Sequence, residues 1–183
     1  GINVWGVTKG VSADLKVAKT MLKAGVSGLA DSRIKNLKRL SSLDTELMLL
    51  RSPMLSKVAE VIEYADISLN SESEVIKSLN KLAKDKNKVH KIILMIDLGD
   101  RREGVLPKFL FSTVKEIIKL DNIKLIGIGT NLACFLGILP TENKMEELID
   151  INNSLEKEFN LKLPIVSGGN SSSLPLLLKR EYQ

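Results

Sequence analysis

Three stretches of the sequence carry residue types able to do covalent or anion-binding chemistry. Lys9 stands at the end of an apolar run, Ile2 to Thr8, directly before Gly10. A lysine held at the carboxyl end of a strand is partly desolvated, which lowers its amine pKa and lets it form a Schiff base with an aldehyde. A strand-end lysine pointing into solvent is the plainer alternative. Ser167-Gly168-Gly169-Asn170-Ser171-Ser172-Ser173 joins another apolar run to a helical segment. Free N–H groups and small hydroxyls at such a junction cradle a phosphate without a cation, although Ser and Asn also serve as plain helix caps. Asp97, Asp100, Arg101 and Arg102 form the third group. An arginine there can clamp a carboxylate or a phenolic oxygen, or simply join solvated ion pairs. His90 lies at the opposite end of its strand and reads as structural, and Cys134 as a packed small hydrophobe.

These residues need a scaffold, and the hydrophobic pattern supplies one. Short apolar runs predict strands at about 2–8, 28–30, 46–51, 66–69, 91–97, 123–129 and 164–167. Helical periodicity fills the intervals at about 12–24, 33–40, 55–63, 72–86, 107–119 and 143–159, with a last helix near 171–179. Ser71 and Glu74 have capping-box spacing, and Pro53 and Pro107 stand where helices begin. In 107–119 the stripe Phe109, Leu110, Val114, Ile117 and Ile118 faces a sheet. Strands apolar on both faces, such as Ile92–Ile96, belong in a parallel sheet covered by helices. Seven βα units in one uninterrupted domain, residues 1–183, suit either a doubly wound open sheet or a (β/α)8 barrel lacking one unit. In both, ligands gather at the carboxyl ends of the strands, where the polar residues concentrate.

Composition excludes several classes. The chain has 183 residues, 44% apolar and 27% charged, which is globular rather than disordered. A net charge of +5, scattered along the chain, and 4% aromatic residues give no nucleic-acid stripe or base-stacking platform. One Cys and one His rule out a disulfide framework and argue against a zinc site. No apolar run approaches the roughly 20 residues needed to span a bilayer, and no signal peptide is visible. A cytoplasmic protein is the expectation. No Gly-Lys-Ser/Thr of a Walker loop follows the serine-rich segment, and Gly127-Ile128-Gly129 lacks the third glycine of a dinucleotide fingerprint.

Taken in order, these motifs resemble the fold-type III pyridoxal-phosphate (PLP) enzymes, and within them the alanine racemase-like amino-acid racemases that include ornithine racemase. The resemblance rests on Lys9 after the first strand and on Asp97-x-Gly99-x-x-Arg102 after the fifth. Gly127-x-Gly129-Thr130-Asn131 and the serine-rich loop follow the sixth and seventh. Val4–Thr8, Leu29–Arg33, Ile67–Glu72 and Glu103–Val105 extend it along the chain. It implies an incomplete PLP-binding (β/α)8 barrel of TIM type, without the eighth strand and the C-terminal β-domain, and so a piece of a longer protein that is inactive alone.

The resemblance also implies roles. Lys9 holds PLP as a Schiff base and, once displaced by the substrate amine, acts as base on one face of Cα. Gly169, Asn170, Ser171 and Ser172 bind the cofactor phosphate, and Arg102 lies near the phenolic oxygen and the substrate carboxylate. Asn131 stands where alanine racemase has a histidine beside the pyridine ring. The implied protein is a homodimer acting on a small amino acid, ornithine or a related one. Asp31, Glu72, Asp97 and Asp100 lie on the correct rim to receive a second amine. The competing implication is a non-catalytic PLP carrier of the single-domain barrel kind. A phosphate-sugar enzyme using Lys9 without a cofactor is a third reading of the same rim.

Overall fold

The computed structural model describes residues 2–179. Seven strands form at β1 (Trp5–Val7), β2 (Gly28–Asp31), β3 (Leu47–Leu49), β4 (Ile67–Asn70), β5 (His90–Met95), β6 (Ile123–Gly129) and β7 (Ile165–Ser167). Helices α1 (Leu15–Lys23), α2 (Ile34–Leu40), α3 (Val58–Tyr64), α4 (Ser73–Asp85), α5 (Pro107–Ile117), α6 (Glu142–Phe159) and α7 (Leu174–Lys179) alternate with them. The strands follow one another in the sheet in sequence order, β1 to β7. That order separates the two architectures left open by the sequence. A doubly wound sheet reverses its strand order at a switch point, and this one does not. The class is α/β, with the strand order of a TIM-type barrel short of its eighth unit.

The described chain divides into two compact units. The first contains the residues up to Asn70, Glu74–Ile92 and Asp121–Ile123. In it β1 to β4 pair in parallel, with Trp5 opposite Gly28, Leu29 opposite Leu47 and Met48 opposite Ile67. Strands β2, β3 and β4 are buried at every residue, which explains their unbroken apolar runs. Leu37 and Leu40 of α2, Val61 of α3, and Ile76, Leu79 and Ala83 of α4 complete this core. Helix α1 starts at Asp14, whose carboxylate accepts from Lys16 N and Val17 N. The expected start near residue 12 is pre-empted by Ser12 and Ala13, both at positive φ. Pro53 precedes its helix by more than expected, since a 3-10 turn at Leu55–Lys57 leads into α3.

The second unit contains Ser71–Ser73, Ile93–Leu120 and the described residues from Lys124 onward. Strands β6 and β7 pair in parallel with Gly127 opposite Ile165. Pro107 opens α5 at its first position, as its missing N–H and fixed φ favour. Leu110, Val114 and Ile117 are buried, at i, i+4 and i+7, but Phe109 and Ile118 are exposed. The expected stripe is therefore too wide, and the Lys108 ammonium lies 4.7 Å from the centre of the Phe109 ring on the outside.

His90 is structural. It is the first residue of β5, 4% exposed, with Nε2 2.8 Å from Ser68 Oγ. The Asn70 amide donates to the same hydroxyl. Burial, and secondarily the Lys88 charge, push the His90 imidazole down to about 4. Protonation thus favours the unfolded chain, so stability is complete above the ordinary histidine value and drains as pH falls toward 4. The expected loss is about 3 kcal/mol between pH 6.5 and 4. Asp14 and Asp100, both held below the ordinary carboxylate value, act only at lower pH, so the upper window belongs to His90. Urea unfolding across this range should show the slope in the natural chain and lose most of it in His90→Gln.

Candidate active site

In the first unit, β1 ends at Val7 and the chain turns at Thr8 into a 3-10 turn, Lys9–Val11. Lys9 thus lies one residue beyond the strand and its side chain is exposed. Thr8 is fully buried. Its N–H donates to Ala30 O at 2.9 Å, its carbonyl accepts from Val11 N and Ala13 N, and its hydroxyl donates to Asp31 Oδ2 at 2.7 Å. Asp31 Oδ1 accepts from Arg33 N and Asn36 Nδ2, both at 3.0 Å. Asp31 is fully buried with both oxygens engaged, so it is not available to a substrate amine.

In the second unit, the segment after β5 folds back on itself. Val105 N donates to Met95 O and Asp97 N to Val105 O, closing the loop between them. Gly104, at φ +117°, makes the closure. The aspartates do not pair with the arginines. Asp97 Oδ1 accepts from Gly99 N and Arg101 N. Asp100 takes the N–H groups of Cys134, Phe135 and Leu136, at 3.4, 2.7 and 3.2 Å. Burial alone would push the Asp100 carboxyl up, and these amides, with that of Ile138, more than reverse it. Among the described residues neither aspartate forms an ion pair with Arg101 or Arg102; Asp100 gives both oxygens and Asp97 gives Oδ1 to backbone N–H groups.

The exposed Arg102 guanidinium donates to the Cys134 sulfur at 2.7 Å, its one side-chain hydrogen bond among the described residues. Cys134 is exposed rather than packed as the sequence suggested. Asn131, just beyond β6, donates its amide N–H to Glu103 Oε1. Glu103 lay within a family-like stretch of the sequence but was given no role from it. Beside Asn131, the Thr130 hydroxyl is buried and unpartnered.

After β7, Gly168 and Gly169 lead into a 3-10 turn, Ser171–Ser173. Gly169 has φ +106°, a conformation that side chains resist. Asn170 holds the loop itself: its Oδ1 accepts from Ser172 N at 2.9 Å and its Nδ2 donates to Leu132 O at 3.0 Å. Ser173 Oγ donates to Gly168 O. The N–H groups of Gly169 and Ser171 and the hydroxyls of Ser171 and Ser172 have no partner among the described residues. Unengaged donors on a glycine-bent turn fit a phosphate. Of the rim carboxylates, Glu72 is exposed and makes no hydrogen bond or ion pair among the described residues. No group of three or more His, Cys, Asp or Glu in the described residues is placed to hold a metal, and no described helix is long and apolar enough to cross a membrane.

The strand order is that of an α/β barrel of TIM type; the first unit carries a lysine just beyond a strand, and the second an arginine and a turn suited to a phosphate. The chain belongs to the family described as alanine racemase, N-terminal domain, whose model matches residues 3–182. It is thereby a fold-type III barrel of the pyridoxal-phosphate racemases. It is 51% identical over 176 residues to ornithine racemase of Acetoanaerobium sticklandii, covering 96% of this chain and 50% of that one. It is 41% identical over 176 residues to lysine racemase of Thermotoga maritima, covering 95% and 49%. The chain thus spans about half the length of these relatives. Among solved structures it is similar to PipY of Synechococcus elongatus with PLP bound, with a TM-score of 0.83, 19% identity, and coverage of 97% and 85%. Alanine racemase of Clostridium difficile gives a TM-score of 0.80 at 21% identity, covering 94% and 47%. At such identities the two structures establish the fold.

Proposed function

We propose that this chain is the cofactor-binding part of a PLP-dependent racemase that interconverts the enantiomers of ornithine or lysine. The reading is carried by 51% identity over 176 residues to a protein named ornithine racemase, on a rim whose free groups suit the cofactor. PLP, when bound, supplies an electron sink for the negative charge that develops at Cα. The protein's residues then have positional work and one proton to move. Lys9 Nζ would hold the cofactor covalently and, when free, would take or return the Cα proton on one face.

Gly169, Ser171 and Ser172 hold the phosphate through their unengaged N–H and hydroxyl groups, and Asn170 contributes by bracing the turn. Among the described residues Arg102 has no carboxylate partner, and it would offer its guanidinium to the phenolic oxygen or the substrate carboxylate. Asn131, oriented by Glu103, would stand beside the cofactor ring. A neutral amide there cannot carry the charge an imidazole could. The opposite-face base would come from the C-terminal β-domain that the resemblance implies, in a cytoplasmic homodimer.

The test is proton NMR of D-ornithine, D-lysine and D-alanine in heavy water with the PLP-loaded, full-length protein. The Cα proton signal of ornithine or lysine should vanish as the L enantiomer accumulates, and that of alanine should lag far behind. Cofactor retention with no exchange into any of the three would instead leave a PLP carrier. No retention at all would sink both readings.

A further inference from the structure

The lysine is exposed, yet the residue before it is fully buried and hydrogen-bonded through its N–H, carbonyl and hydroxyl. Three backbone bonds already close the turn: Thr8 N to Ala30 O, and Val11 N and Ala13 N to Thr8 O. The Thr8 hydroxyl adds a bond that the turn does not require, to Asp31 Oδ2 at 2.7 Å, with Ala30 O a longer second acceptor at 3.4 Å. Asp31 in turn divides its oxygens between two tasks. Oδ1 receives Arg33 N and Asn36 Nδ2 at the start of α2. Oδ2 receives Thr8 alone. Full burial of a carboxylate without a cation is costly, and bracing α2 needs only one oxygen. On the far side of Lys9, Ser12 and Ala13 sit consecutively at φ 50° and 55°, a strained pair of non-glycine residues. The lysine therefore leaves a backbone fixed on both sides, and on the strand side a side-chain pair 23 residues apart adds to the backbone bonds.

We propose that Asp31 and Thr8 are positioning residues for Lys9: the carboxylate fixes the Thr8 hydroxyl and so the direction in which the lysine stem leaves the backbone. This rests on the function proposed above, in which Lys9 Nζ adds to the cofactor aldehyde, a C=N bond forms and one water leaves. A four-carbon stem otherwise samples many directions, and a group placed loosely at a reacting carbon loses rate steeply.

The experiment follows modification of Lys9 by PLP in the full-length protein, fixed with borohydride at timed intervals over a pH series and read by peptide mass. The exposed Lys16 and Lys19 serve as internal references. Thr8→Val keeps the shape and removes the hydroxyl; it should slow Lys9 modification about tenfold or more relative to the references. Thr8→Ser should restore it. Should Thr8→Val fail to fold, Asp31→Asn is read on the same ratio, with the same slowing expected. Equal rates at Lys9 in the natural and variant proteins, or failure of Thr8→Ser to rescue, would overturn the positioning role. A natural protein that marks Lys9 no faster than Lys16 would overturn the cofactor reading as well, so the two failures are distinct.

Discussion

Lys9→Ala should lower the racemisation rate by about 10³-fold or more while leaving the fold intact. The argument has two halves. Lys9 is the residue assigned both covalent attachment of the cofactor and the proton transfer on one face of Cα, so its loss removes two functions together. Such losses do not add as independent free energies. Structurally its side chain supports nothing: it is exposed, and among the described residues it forms no ion pair. Surface positions of this kind change stability by no more than about 0.5 kcal/mol. The visible absorbance of the Schiff base should disappear, borohydride should fix no cofactor on peptide 9, and the thermal midpoint should stay put. Lys9→Arg should fail equally, because a guanidinium stays protonated and cannot condense with an aldehyde. Retained turnover in either variant would mean that another amine carries the cofactor.

The scaffold was legible in the sequence where burial is two-sided. Ile67–Asn70 and His90–Met95 are buried along nearly their whole length, so their apolar runs mark the strands to within a residue or two. The first strand was overread. Ile2 and Val4 are apolar but exposed, and β1 extends only where Trp5–Val7 find partners on β2. Phe109 and Ile118 were overread for a related reason: the apolar arc of α5 is wider than the face it packs. Within the site, residue type could be read but partner could not. Asp97 and Asp100 looked like ion-pair partners for adjacent arginines, yet their oxygens go to backbone N–H groups, some more than thirty positions away. Thr8 and Asp31 had the same problem. Each was visible at a strand end, but their hydrogen bond depends on the register of β1 against β2, which periodicity does not fix. Glu103 and Asn131 meet across 28 residues, and neither spacing nor composition marks that contact.

Gly104→Ala should destabilise the chain by about 3 kcal/mol or more, with loss of the Arg102 loop as the first consequence. Glycine is required here on two independent grounds. Its φ of +117° lies where an alanine is strained. A Cβ would also stand 2.4 Å from Asp97 N and 2.6 Å from Ile96 C. Those are backbone atoms just beyond β5, so no rotamer change can relieve the clash. The pairing of Ile96 with Val105 depends on that close approach. Opening it releases both ends of the loop that carries Arg102 and Glu103, and through Glu103 the orientation of Asn131. Denaturant unfolding should show the lower midpoint. Partial opening should weaken cofactor retention before the secondary structure is lost, a sequence that far-ultraviolet circular dichroism and the visible cofactor band can follow in one titration. A variant of natural stability would show that the loop closes by some other route and that its geometry does not govern Arg102.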